Sequence, residues 1–279
     1  MPEMPEVQAH AERMAASLVG ETLHKFQLIN FASLKTFAPP PDAAEGSKVA
    51  SVGRRGKYLL LGFENGHTHI VHLMQGGRLR PDPKQTKKPR GGMVRWVFDN
   101  DEAWLLTEAG TERKAGIWVV DGDPLIQPPI DYLGPEADKI TLTQLRKMCK
   151  TNSRRLHGLL RTQNDIAGIG RLLANEICFT AKLSPFANAS KLTDDQVKAL
   201  HAAMKSVLTD ALAHERTLDD IGKSADRPSK VHNRAGEPCP VCGDLVRTVE
   251  YRKYTVFYCP TCQTDGKVLA DNTTSKFLK

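Results

Sequence analysis

The chain has 279 residues, 40% hydrophobic and 25% charged, the proportions of a soluble globular protein with material for two domains and a small appendage. Lys and Arg number 39 against 32 Asp and Glu, and the resulting net charge of +7 favours a polyanionic partner. No apolar run approaches the ~20 residues of a membrane span and the start of the chain has no signal-peptide pattern, so neither a membrane nor an export route is expected.

Met4 to Leu18 carries Val7, Ala11, Met14 and Leu18 at helical spacing and predicts one helix. Short β-rich runs follow: Lys57–Phe63, Thr68–Leu73, Met93–Phe98, Ala103–Thr107 and Gly116–Val120, separated by Gly, Asn and Asp turns. They predict a β-sandwich or flattened barrel over residues 1–130, with a basic loop at Lys84–Gly92. After a Pro-rich bridge the period becomes helical, at Leu142–Lys150, Arg154–Thr162, Gly170–Ala181 and Thr193–Ala213, which defines a second domain at 139–221. Residues 222–234 are a polar linker, and a cysteine-bearing hairpin occupies 231–265. The fold class is α+β.

Four cysteines, Cys239, Cys242, Cys259 and Cys262, form C-x2-C, sixteen residues, C-x2-C. Two such knuckles place four thiolates on one tetrahedral zinc, a closed and therefore structural site. Leu245–Tyr258 between them alternates as a hairpin, with Arg252, Lys253 and Tyr254 at or near its tip. The remaining pair, Cys149 and Cys178, sit in helical segments and read as buried spectators, so a reducing cytoplasm fits.

From Lys139 to Arg161 there are seven basic residues and no acid, which reads as a phosphate-facing surface or, more blandly, a solvated helix face. Gly168 and Gly170, one residue apart between helical segments, allow close backbone approach to a ligand, and the helix that follows offers its positive end to a phosphate. Gly53-Arg54-Arg55-Gly56-Lys57 sets a lysine at a turn-to-strand junction. At the start, Met1-Pro2-Glu3-Met4-Pro5-Glu6 suggests a nucleophile: trimming of Met1 exposes the secondary amine of Pro2, with a pKa of roughly 8. Such an amine adds to a sugar C1′ and forms an iminium, the electron sink for β-elimination. Glu3 would act as general acid, and Glu6 would order the amine or relay protons.

Together these segments resemble the formamidopyrimidine-DNA glycosylase / endonuclease VIII family, in order and over essentially the whole chain. The residues concerned are MPEMPEV, RRGKYLLL, YLGPE, NDIAGIGRLLANEI, and VHNRAGEPCPVCG with FYCPTCQ. The resemblance implies a bifunctional enzyme that excises oxidised bases and nicks the abasic site by β,δ-elimination, after flipping the nucleotide out of the stack. On this reading Pro2 is the Schiff-base nucleophile, Glu3 the acid and Glu6 their support, with Lys57 on the phosphate beside the lesion. The implied partner is damaged or abasic-site DNA, and the protein is expected to be a monomeric, nucleoid-associated bacterial enzyme with one zinc.

The sequence departs from the family at several DNA-contacting places. Arg171 stands where the family has an Asn after the Gly-Ile-Gly turn. Tyr254 stands where the zinc-finger hairpin carries an Arg, and Arg252 is expected to substitute. Gln75, after Met74, occupies the place of an intercalating Met, and Arg113-Lys114-Ala115 replaces Arg-Arg-Phe. Losing that aromatic wedge weakens the filling of the gap left by a flipped nucleotide. A non-catalytic binder of damaged DNA and a zinc-ribbon transcription or translation factor remain as alternatives.

Overall fold

Pro5 in the first turn and the apolar stripe of Val7, Ala11, Met14 and Leu18 make Met4–Leu18 a helix, α1, in the computed structural model of the chain, with that stripe buried. The structure describes residues 1–110, 113–222, 226–251 and 254–269. The chain separates into two units, residues 1–132 with 214–222 and residues 133–213 with 223–279.

The first unit is built on two antiparallel four-stranded sheets. The strands are β1 (Leu23–Leu28), β2 (Val49–Arg55), β3 (Tyr58–Phe63), β4 (His67–His72), β5 (Gly77–Pro81), β6 (Gly92–Phe98), β7 (Ala103–Glu108) and β8 (Gly116–Asp121). One sheet runs β1-β6-β7-β5, the other β2-β3-β4-β8. Their facing residues, among them Leu59, Leu61, Val71, Val94, Trp96, Leu106 and Ile117, join Val7, Met14 and Leu18 of α1 in one core. The expected sandwich with its helix is therefore present. Segment 214–222 completes the unit: Ile221 enters this core. Arg13 donates to the carbonyls of Glu215 (3.0 Å) and Leu218 (2.9 Å), and Arg216 pairs with Glu12 at 2.7 Å.

The second unit begins with α2 (Leu142–Thr151), α3 (Leu156–Arg161), α4 (Arg171–Thr180) and α5 (Asp194–Arg216), the last turn of α5 lying in the first unit. Thr141 and Gln144 cap α2 reciprocally. The finger follows, with β9 (Arg247–Tyr251), β10 (Tyr254–Tyr258) and a short α6 (Pro260–Thr264). Asn175 and Glu176 of α4 tie it down. The Glu176 carboxylate accepts the N–H groups of Lys230, Val231 and His232 at 2.8–3.0 Å, and the Asn175 side-chain oxygen accepts the Phe257 N–H at 3.3 Å. Phe179, Val231, Cys239, Val246 and Cys259 close a small apolar core beneath. Among the described residues no helix is long and apolar enough to cross a membrane.

Candidate functional site

The N-cap of α1 is Glu3, and the Glu6 carboxylate accepts the Glu3 backbone N–H at 3.0 Å, one half of a reciprocal capping box. This fixes both acids at the head of the helix, where Glu3 is 3% and Glu6 4% exposed and Pro2 is also buried. Buried carboxylates at a helix N-terminus are stabilised by its positive end. Arg54 of β2 donates to the Gln8 side chain at 2.9 Å and anchors α1 to the sheet.

Lys57 belongs to the β2–β3 turn. Arg55 pairs with Tyr58, leaving Gly56 and Lys57 as the two-residue connection, with Gly56 at φ +56°. The Lys57 side chain is 6% exposed. On the neighbouring strand, His72 pairs with Tyr58, and the two rings lie 4.4 Å apart. Burial, the Lys57 ammonium and the chain's terminal amine together push the His72 pKa down to about 4. The amine in question is that of Met1, the residue before Pro2. Its Nδ1 accepts the Met74 N–H at 3.0 Å, so the neutral ring carries its proton on Nε2. Nothing singled out His72 in the sequence, because a histidine in an apolar strand has no motif of its own.

The loop after β4 exposes Gln75 and leaves Met74 half-buried at φ +50°. Arg113 is exposed, while Ala115 is buried, and the Glu108 carboxylate accepts the Lys114 and Ala115 N–H groups at 2.6 and 2.7 Å. Arg113 shares an open groove with Lys87 and Lys88 of the basic loop and with Asn30 and Phe31.

In the second unit the glycine turn is held from within by Gln163. Its side-chain oxygen accepts the Gly168 N–H at 3.0 Å, and its side-chain amide donates to the carbonyls of Ile169 (2.7 Å) and Arg161 (2.9 Å). Gly168 sits at φ +101°, where a side chain would be strained. Glu136 bridges Ala167 in parallel, and at Gly134 a Cβ would lie 2.6 Å from the carbonyl oxygens of Asn164 and Asp165. That contact explains the glycine of YLGPE: it lets the bridge segment lie against the turn. Gly170 caps α4, and Arg171, its first residue, is exposed. Tyr254 opens β10 with Arg161 over its ring. Arg252, the other finger residue expected on DNA, lies outside the described residues.

The thiols of Cys239, Cys242, Cys259 and Cys262 all lie within 4.8 Å of one another. The pairs 239–262 and 242–259 are 3.8 and 3.4 Å apart, close to the ~3.8 Å between thiolates on a tetrahedral zinc with ~2.3 Å bonds. The Val241 N–H points at the Cys239 sulfur at 3.5 Å, as in a metal knuckle. The donor set fits zinc. Cys149 and Cys178 are buried, and burial raises both thiol pKa values, Cys149 to about 11.

A β-sandwich headed by a buried acid pair, a two-turn helical element and a four-cysteine finger define a zinc-finger nucleic-acid protein. Residues 1–116 match the formamidopyrimidine-DNA glycosylase N-terminal domain, 133–221 that protein's H2TH domain, and 236–264 the zinc finger found in FPG and IleRS. The formamidopyrimidine-DNA glycosylase of Chloroflexus aggregans is 31% identical over 275 residues, covering 94% of this chain and 98% of the relative. The MutM (Fpg) crystal structure from Thermus thermophilus aligns with a TM-score of 0.80 at 27% identity, covering 94% of this chain and 98% of that one. A Lactococcus lactis FPG mutant bound to Fapy-dG-containing DNA shares the fold, with a TM-score of 0.85 at 21% identity over 94% of this chain and all of its own. The chain belongs to the formamidopyrimidine-DNA glycosylase / endonuclease VIII family.

Proposed function

We propose that the protein is a DNA-repair glycosylase with abasic-site lyase activity, and that Pro2, Glu3, Glu6 and Lys57 carry the chemistry. The observation behind this is the head of α1, where Glu3 and Glu6 are buried next to the buried Pro2, together with the buried Lys57 of the β2–β3 turn. Relatives named as formamidopyrimidine-DNA glycosylases, and neighbours solved with damaged or abasic DNA, support the substrate class.

Once Met1 is removed, the Pro2 nitrogen is a secondary amine. It adds to C1′ of the damaged nucleotide and the base departs, Glu3 protonating the sugar ring oxygen as the ring opens to an iminium. Loss of a C2′ proton breaks the C3′–O bond, and loss of a C4′ proton then breaks C5′–O, releasing both phosphates. Water hydrolyses the imine and restores the amine. Glu6, bonded to the Glu3 N–H, holds the helix head in register, and it would relay these protons. Lys57 would hold the adjacent phosphate, with the neutral His72 Nε2–H beside it. In the second unit, Gly168, Gly170, Arg171 and Arg252 would bind the DNA backbone with the Tyr254 ring beside them, and in the first Gln75 and Arg113 would contact DNA near the vacated stack. One structural zinc, when bound, would cross-link the two cysteine knuckles and hold the hairpin.

Borohydride trapping of the Met1-processed protein on a duplex with one abasic site tests the reading. A reduced adduct mapped to Pro2 is expected. Intact DNA binding with no adduct would leave the second reading, a non-catalytic damage binder, which Ala115 in place of the aromatic wedge, its N–H held by Glu108, favours.

A further inference from the structure

The finger carries a tyrosine where a cation was expected, and the structure supplies the cation from another element. Arg161 and His157 lie four residues apart on one face of α3. Both meet Tyr254 of β10. The Arg161 guanidinium carbon is 4.1 Å from the Tyr254 ring centroid, and the His157 ring stacks on Tyr254 with centroids 5.7 Å apart and planes 23° from parallel. His157 is 2% exposed, so the stack is fixed from below.

A guanidinium on a ring uses its face for the contact, while its N–H donors lie in the plane, directed away from the stack. That fork matches the paired oxygens of a phosphate. The ring also limits the rotamers of a long side chain, so less entropy is lost when a ligand binds. A second guanidinium, that of Arg171, follows across the glycine turn. Arg171 is exposed at the positive end of α4. The Gln163 amide fixes the backbone between them through the Arg161 and Ile169 carbonyls.

We infer that Arg161, laid face-on against Tyr254, is a phosphodiester-binding residue that acts with Arg171 as a two-guanidinium clamp on the DNA backbone. Tyr254 is its positioning residue and acts through its ring; its hydroxyl has no part. The inference rests on the DNA-acting role proposed above, and it adds to the expected finger contact a cation from a helix outside the finger.

The test is a salt titration of binding to a duplex carrying one tetrahydrofuran abasic analogue. Wild-type protein must first bind with a steep salt dependence; failure there removes the DNA-acting reading itself. Given that binding, Arg161→Gln should lower the log–log salt slope by roughly one unit. Affinity should fall about tenfold, the scale of one charge-assisted hydrogen bond. Tyr254→Ala should match this loss, Tyr254→Phe should bind as wild type, and the double variant Arg161→Gln/Tyr254→Ala should be no worse than Arg161→Gln alone. Zinc content and melting temperature establish that the hairpin is intact in each. An unchanged slope in Arg161→Gln, a defect in Tyr254→Phe, or additive losses in the double variant would overturn the clamp. Inorganic phosphate at millimolar concentration should not compete below its ionic-strength effect; specific competition would make this a free-anion site instead.

Discussion

The carboxylate of Glu176 accepts the backbone N–H of Val231 at 3.0 Å, across 55 residues of sequence and with Glu176 only 5% exposed. Its two oxygens also take the N–H groups of Lys230 and His232, so one side chain of α4 organises the entry to the finger. Glu176→Ala would leave three donors without their acceptor and should cost about 3 kcal/mol in the stability of the second unit. Denaturant unfolding and faster zinc loss to a chelator would register it. Glu176→Gln keeps one acceptor and should lose less.

Zinc removal should act through the same region. Cys242→Ser, or chelation of the wild type, is expected to release one equivalent of metal, disorder the hairpin and weaken DNA binding, because the small core around Val231 and Val246 depends on the cross-link. Metal analysis combined with a binding titration checks this; normal affinity in metal-free protein would make the finger dispensable.

Glu3 and Pro2 are separable. A general acid contributes about 10²–10⁴-fold to the step it serves. Glu3→Gln should therefore slow base excision by that order while the protein still forms a borohydride-reducible adduct on a preformed abasic site. Equal loss in both assays would take the acid role away from Glu3.

Burial first and the Lys57 ammonium second depress His72, so Lys57→Met should raise its pKa part of the way from about 4 toward the ordinary 6.5, an effect visible in an NMR pH titration of its ring protons. The same change, and separately Arg171→Ala, should each flatten the salt dependence of DNA binding by roughly one unit. An unmoved His72 would separate the lysine from the amine site.

Acid should destabilise the first unit more than the second. Burial holds His10 and His72 near 4 and His69 near 3, and it holds His157 of the second unit near 3. A histidine depressed in the fold is protonated first in the unfolded chain, so its cost begins as pH falls through about 6.5 and grows until the folded value is reached. Between pH 7 and 5 each contributes up to about 2 kcal/mol of lost stability. Differential scanning at the two pH values measures the total. His69→Gln, which keeps an acceptor for the Trp96 N–H now bonded to His69 Nδ1 at 2.8 Å, should narrow the gap.

The helices and the strands β3, β4, β6, β7 and β8 were legible because burial on a regular period leaves a regular trace. Met4–Leu18 and the four helices from Leu142 onward fall within a few residues of their predicted limits. The strands that sequence alone missed are β1, β2 and β5, with runs such as LHKFQL and GRLRP. All three lie at sheet edges, where half of the hydrogen-bonding groups and much of the side-chain surface face water, so the apolar pattern thins. Pro2, Glu3, Glu6 and Lys57 could be picked out because their motifs are contiguous. His72, Gln163, His157 and Arg161 matter through partners far along the chain or through backbone groups, and no local spacing encodes that.

The return of residues 214–222 to the first unit gives synthesis an order. Ile221 is part of the core that α1 and both sheets share, Arg13 donates to the carbonyls of Glu215 and Leu218, and Glu12 takes its ion-pair partner from Arg216. A nascent chain carrying the whole sandwich but halted before Arg216 would hold an unfinished core, however long it waited on the ribosome. The half of the molecule that bears the amine thus matures only after the helices that follow it have been translated.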